Sequence, residues 1–151
     1  VDELHADAAA AALVRRADEF DVLVTENMVG DILSDLAGEV AGSLGVAGSV
    51  NASDRHAMAQ AAHGSAPDIA GRGVANPIAM IRSAALLLDW LADRHGDQRL
   101  RAAAGHIEDA IATVVAAGVC TPDLGGSATT DGFTAEVVIA IAAAAPAAVA
   151  G

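Results

Sequence analysis

The chain has 151 residues, enough for one ordinary domain with a core, and 54% of them are hydrophobic. A formal net charge of −12 argues against a nucleic-acid backbone or an anionic membrane as partner, and leaves room for a cation or an anionic ligand held by backbone N–H groups. Cys120 is the only cysteine, which excludes a disulfide framework and a cysteine-based zinc site.

Residues 6–20, ADAAAAALVRRADEF, read as a helix built from strong helix formers, with Asp7 near the N-terminus where the helix dipole favours a negative charge. The β-branched run FDVLVT (20–25) reads as a short buried strand, and ENMVG after it as a loop. DILSDLAGEVAG (31–42) reads as a helix with Ile32, Leu33, Leu36 and Val40 inward and Gly42 at its end. Strand, loop and helix together make an α/β unit. The Gly- and Ser-rich stretch 42–55 reads as connection, and HGSAPDIAGRGVANP (63–77) as a long loop, of the kind that is usually functional or disordered. Pro77 fits the first position of a helix capped by Asn76, ending before Gly96. The next helix, about 99–117, carries the stripe Leu100, Ala103, Ala104, Ile107, Ile111 and Val114 and closes at Gly118. CTPDLGGSATTDG is a loop, FTAEVVIAIAAAA a last helix, and AAAAPAAVAG (142–151) a low-complexity, frayed end. The longest apolar tract, 137–150, is too short to span a bilayer and contains Pro146. No signal peptide is expected, and a cytoplasmic location fits.

Asp31 and Asp35 stand four apart. Asp31 would open its helix with help from the dipole; Asp35 would face it one turn on, and like charges at that spacing cost roughly 0.2–0.5 kcal/mol. Two readings stay open: two solvated carboxylates, or a site for a hard cation such as Mg²⁺ or Mn²⁺, which takes one or two carboxylates plus waters and substrate. In the 63–77 loop, Gly64, Gly71 and Gly73 let backbone approach a ligand closely, but neither GxGxxG nor a P-loop is present. Asp68 is a turn former after Pro67 or a ligand, Asn76 a cap, a ligand or both, and His63 without context a structural histidine. Ser34, Ser43, Ser49 and Ser65 lack a nucleophile elbow, and Cys120 has no evident base.

VTENMVGDILSDLAGEVAGSLG (24–45), HGSAPDIAGRGVANP (63–77) and TPDLGGSATT (121–130), in this order and spacing, resemble the metal-dependent β-decarboxylating dehydrogenases, the isopropylmalate, isocitrate and tartrate dehydrogenases. The resemblance runs from about Asp7 to Ile141. It implies the C-terminal half of that family's α/β fold: residues 1–41 in the dimer-forming second domain and 42–151 in the dinucleotide-binding domain. It implies oxidation of a 2-hydroxy acid by NAD⁺ followed by loss of the β-carboxylate, in a homodimer with a shared active site. Asp31 and Asp35 match metal-binding aspartates of one subunit, and Asp7 the aspartate that reaches the same Mg²⁺ or Mn²⁺ from the other. His63, Gly64, Ser65, Ala66, Asp68 and Asn76 match the dinucleotide loop, with Asp68 at the adenosine ribose, favouring NAD⁺ over NADP⁺, and Asn76 at the adenine. Asn27 falls near the nicotinamide end. So does Gln60, which stands where isopropylmalate dehydrogenases carry a Glu, in Ala59-Gln60-Ala61-Ala62 instead of Phe-Glu-Pro-Val.

The family's general base and proton donor are largely a Lys and a Tyr, and this chain has neither. The expectation is therefore a C-terminal portion of a longer enzyme, with no catalytic residue of its own, inactive and poorly stable alone. Isopropylmalate is the first substrate implied. An isocitrate- or tartrate-type paralogue, or a non-catalytic nucleotide-binding, regulatory or truncated chain, is the alternative.

Overall fold

Alanine, leucine and isoleucine at helical spacing build most of what is seen in the computed structural model, which describes residues 2–144. The chain divides into two units, 1–44 and 45–151.

In the first unit, α1 (Ala6–Arg16) and α2 (Asn27–Val40) pack through Ala9, Leu13 and Leu33, with Phe20, Val29 and Leu36 partly covered around them. Helix α1 ends four residues earlier than its composition suggests; Ala17–Glu19 form a 3₁₀ turn, and the Phe20 N–H donates to the Ala17 carbonyl at 3.2 Å. The run 20–25 is not a strand. Its β-branched residues suit an extended conformation, but a strand exists only through hydrogen bonds to a neighbour, and among the described residues β-pairing occurs only elsewhere. Val22 and Val24 are accordingly 77% and 92% exposed. Helix α2 begins at Asn27, not Asp31, because Glu26 caps it: its carboxylate accepts from Met28 N at 2.9 Å and Val29 N at 2.7 Å. ENMVG is therefore mostly helix, and of the residues expected inward Leu33 is buried and Leu36 half-buried, while Ile32 and Val40 are exposed.

The second unit opens with a hairpin that composition hid inside the expected connection. Strands β1 (Gly48–Ala52) and β2 (Ala57–Ala61) are antiparallel, with Ser49 opposite Gln60. Their residues have little β-propensity, so tertiary contacts hold them. Helix α3 (Ile78–His95) lies against both strands. Its Ser83, fully buried, accepts from Ser49 N at 3.1 Å and sits 2.7 Å from the Gln60 carbonyl, joining one rung of the hairpin. A Cβ on Gly48 would stand 3.1 Å from Ser83 N, so glycine is what lets strand and helix approach.

Helix α3 starts one residue after the expected position, with Pro77 at the cap and Asn76 Oδ1 accepting from Ile78 N at 2.9 Å. It ends at Gly96, whose φ of 65° only glycine adopts easily. Helix α4 (Gln98–Ala116) packs on α3 and on α5 (Thr130–Ala144). The core joins Ile78, Ala110, Ile111, Val114, Phe133 and Val137, with Phe133 fully buried and contributing roughly 2–3 kcal/mol by its burial. Residues 142–144 belong to α5; the remainder of the low-complexity end lies outside the described residues. No described helix is long and apolar enough to cross a membrane.

Between α4 and α5 the chain turns on Gly126, where an added Cβ would fall 2.0 Å from the Cys120 carbonyl oxygen. Gly126→Ala is expected to cost more than about 2 kcal/mol of unfolding free energy. Gly105, inside α4 with nothing within 4 Å of its would-be Cβ, is the contrast: Gly105→Ala should stabilise by about 0.5–1 kcal/mol. Denaturant midpoints of the two variants decide both.

Asp97 caps α4, accepting from Arg99 N at 3.0 Å, and the Arg99 side-chain hydrogen bond, followed by its backbone bond, lowers the Asp97 carboxyl to about 2 from 3.8. A depressed carboxyl stabilises the fold above its unfolded value and loses that contribution as pH falls. The stability gap between the protein and Asp97→Ala should therefore close between pH 3.8 and about 2, as pH-dependent unfolding would show.

Candidate metal and cofactor site

Helix α2 sorts its side chains by face. Val29, Leu33 and Leu36 turn to α1, while Asn27, Asp31 and Asp35, spaced i, i+4 and i+8, follow one strip on the opposite, exposed side. The start at Asn27 changes one expectation: Asp31 is the fifth residue of the helix, beyond the first turn, so the dipole gives it little help. Neither aspartate has a cationic neighbour among the described salt bridges. The strip thus offers two carboxylates one turn apart, oxygen donors without thiolate or imidazole, a set that fits a hard divalent cation keeping waters in its shell. Asp7, in the first turn of α1, keeps its carboxylate on its own neighbour, Ala8 N, at 2.9 Å. Among the described residues no three His, Cys, Asp or Glu side chains gather as a metal centre, so the chain itself brings together Asp31 and Asp35 but does not add Asp7 to them.

The second unit carries the loop. Gln60, exposed on β2, leads to His63, whose Nδ1 lies 2.9 Å from the Gly64 carbonyl, and to the exposed Gly64, Ser65, Ala66 and Asp68. Ala66 is left-handed, with φ 44° and ψ 61°, directly before a 3₁₀ turn at Pro67–Ile69. Ile69 N donates to the Ala66 carbonyl, Ala70 N to Pro67 and Arg72 N to Ile69, all at 3.1–3.2 Å. Gly71 and Gly73 have φ of 75° and 63°, so the backbone itself requires glycine at both. Gly64 differs. Its φ is not positive, and a Cβ there would meet nothing within 4 Å. The fold leaves that space open, and open backbone beside an exposed turn is what a bound group can approach.

Asn76 ends the loop and is only 9% exposed. Its Nδ2 donates to Asp123 Oδ2 at 2.8 Å, so its side chain works inside the fold, as the cap of α3 and as a tie to 121–130. Motif reading assigned no role to Thr121, Asp123 or Thr130. TPDLGGSATT marked the segment, but nothing in the string says which residues it touches. Glu26 was also missed, since capping rules favour shorter side chains.

Residues 1–140 match the family model described as isocitrate/isopropylmalate dehydrogenase. The chain is 49% identical over 141 residues to an isocitrate/homoisocitrate dehydrogenase of Thermus thermophilus, covering 93% of this chain and 40% of the relative. It is 45% identical over 136 residues to a 3-isopropylmalate dehydrogenase of Sulfurisphaera tokodaii, covering 89% and 40%. The crystal structure of isocitrate dehydrogenase from Methylococcus capsulatus superposes with a TM-score of 0.81 at 38% identity over 90% of this chain and 39% of that one. The chain thus spans about two fifths of the length of these relatives, and its mixed helix and sheet is a portion of their α/β fold. Motifs, fold and relatives agree: the chain belongs to the isocitrate/isopropylmalate dehydrogenase family.

Proposed function

We propose that this chain is the C-terminal part of an NAD- and Mg²⁺- or Mn²⁺-dependent enzyme that oxidises and decarboxylates a 2-hydroxy acid. The observation that carries the reading is the exposed pair Asp31 and Asp35, one turn apart on α2 in a chain of this family. Residues 1–41 are assigned to the dimer-forming second domain and 42–151 to the dinucleotide domain. Asp31 and Asp35 hold the cation from one subunit of a homodimer, and Asp7 contributes from the other. When bound, the cation would supply Lewis-acid polarisation of the substrate oxygen, and NAD would supply the acceptor for the hydride.

The loop residues bind and orient. Gly64 leaves room for the dinucleotide to approach, Ser65 and Ala66 shape the turn, and Asp68 accepts from the adenosine ribose hydroxyls. A 2′-phosphate in the same place would face that carboxylate, which favours NAD⁺ over NADP⁺. His63 and the backbone at Asn76 complete the adenosine end, and Asn27 and Gln60 serve the nicotinamide end. The reaction also needs a base for the hydroxyl proton and an acid to protonate the carbon that loses CO₂. With no Lys and no Tyr here, both fall to residues outside these 151.

The substrate is proposed to be 3-isopropylmalate or a close analogue. An isocitrate- or homoisocitrate-type substrate is the second reading. It is favoured by the Thermus relative named for those substrates, and by Gln60 in place of the Glu typical of isopropylmalate dehydrogenases.

Two outcomes are expected. The 151-residue chain with NAD⁺, Mg²⁺ and either substrate should show no turnover, and appreciable NADH formation would refute the assignment of the acid and base to residues elsewhere. In a polypeptide that also carries an upstream segment with the Lys and Tyr, Asp31→Asn with Asp35→Asn should abolish Mg²⁺-dependent NADH formation; unchanged activity would remove the metal assignment.

A further inference from the structure

Segment 121–130 holds the downstream end of the 63–77 loop. We propose that Asp123 is a positioning residue for that loop: with Thr121 and Thr130 it fixes where residues 73–76 lie. The proposal rests on the dinucleotide reading of 63–77.

The orientation of the Asn76 amide is set by its partners. Oδ1 accepts from Ile78 N at 2.9 Å, so Nδ2 must face Asp123 Oδ2, 2.8 Å away. The other carboxylate oxygen of Asp123 accepts from the Thr121 hydroxyl at 2.6 Å, and Thr121 is fully buried. The Asp123 carboxylate is thereby tied through one oxygen to a buried side chain and through the other to Asn76. A Cβ on Gly45 would come within 2.9 Å of both Asn76 Cβ and Asp123 Oδ2, so the chain at 45 closes over the pair. A second tie lies beside the first. Thr130 donates from its backbone N to the Gly73 carbonyl at 2.9 Å and from its hydroxyl to the Ala75 carbonyl at 2.6 Å.

Residues 73, 75 and 76 are thus all bonded to 121–130, while the hydrogen bonds at His63, Ile69, Ala70 and Arg72 stay within 63–72. The exposed part of the loop, with Gly64, Ser65, Ala66 and Asp68, is shaped by itself but located by its downstream end. Removing the Asp123 carboxylate leaves a buried amide donor unpaired and releases that end. The loss should appear in ligand affinity and in local order together.

The test titrates NAD⁺ by calorimetry into the longer polypeptide that also carries the upstream segment, and follows amide hydrogen exchange by mass spectrometry. Asp123→Ala is expected to raise the Kd for NAD⁺ about fivefold, the size of one hydrogen bond. It should also speed exchange at 64–76 and leave α4 unchanged. Asp123→Asn should restore both, since an amide can accept from Asn76 and donate to the Thr121 hydroxyl. Thr130→Val, which removes only the bond to Ala75, should loosen the same amides and weaken NAD⁺ in the same direction, and it serves where Asp123→Ala does not fold. Unchanged Kd and exchange in the alanine and valine variants overturn the proposal. So does a loss of protection spread through the whole second unit that Asp123→Asn does not rescue. If the unmodified protein does not bind NAD⁺, the dinucleotide reading fails, and the exchange pattern alone decides whether Asp123 anchors the loop.

Discussion

The Asn76 side chain is the joint on which the second unit depends. A buried amide left without partners costs about 1–3 kcal/mol, and here each of its polar atoms has one: the first N–H of α3 and the Asp123 carboxylate. Because the same amide starts a helix and meets a residue 47 positions later, loop, helix and 121–130 segment cannot shift independently. The joint rests in turn on a tight turn. Gly126 N donates to the Thr121 carbonyl at 3.0 Å and Ala128 N to the Cys120 carbonyl at 2.9 Å, and the space those bonds leave at Gly126 admits no side chain. A steric requirement at one glycine thereby sets the position of a carboxylate, and the carboxylate sets the loop.

The first unit has no comparable joint. Two helices meet over Ala9, Leu13 and Leu33, a small core, while Val22, Val24, Met28 and Ile32 stand open. Little apolar area is removed from water, so the placement of Asp31 and Asp35 relies on local devices, above all the Glu26 cap that fixes where α2 starts. That start has an electrostatic consequence. A helix beginning at Asp31 would have offset part of the repulsion between the two aspartates through its dipole. With four residues ahead of Asp31 the repulsion stands, and among the described residues no salt bridge to a basic side chain relieves it. Two like charges on an exposed face opposite the packed one suit a cation better than they suit the helix.

Helices α3, α4 and α5 were legible because their signals are local: apolar residues at helical spacing, a cap at Asn76, glycines at 96 and 118 with positive φ. Strands were not, in both directions. The β-branched run 20–25 has the composition of a strand and no neighbour to pair with among the described residues. The Gly-Ser-Val-Asn-Ala and Ala-Met-Ala-Gln-Ala strands have weak propensity, and pair because α3 brings Ser83 and the close approach at Gly48. The site divides the same way. The paired aspartates and the loop are contiguous in sequence and could be read as motifs. The roles of Thr121, Asp123 and Thr130 depend on contacts 47 to 57 residues away or on a buried partner, which no spacing rule reaches.

Two departures in His63-Gly64-Ser65-Ala66-Pro67, at Gly64 and Ala66, bear on what the loop is for. Most of the loop's and hairpin's glycines answer to the fold: Gly48 to a close helix, Gly71 and Gly73 to positive φ. Gly64 answers to neither, and as glycine it costs conformational entropy on folding that alanine would not. Ala66 shows the reverse. It holds a left-handed conformation that glycine would adopt without strain, at a cost of about 1 kcal/mol, and it does so before a proline, which disfavours most non-extended conformations of the residue ahead of it. A segment selected only for stability would carry these two residues the other way round. Bare backbone at 64 and a strained turn at 66 leave an open, fixed surface on the loop, and that supports the dinucleotide role proposed for it.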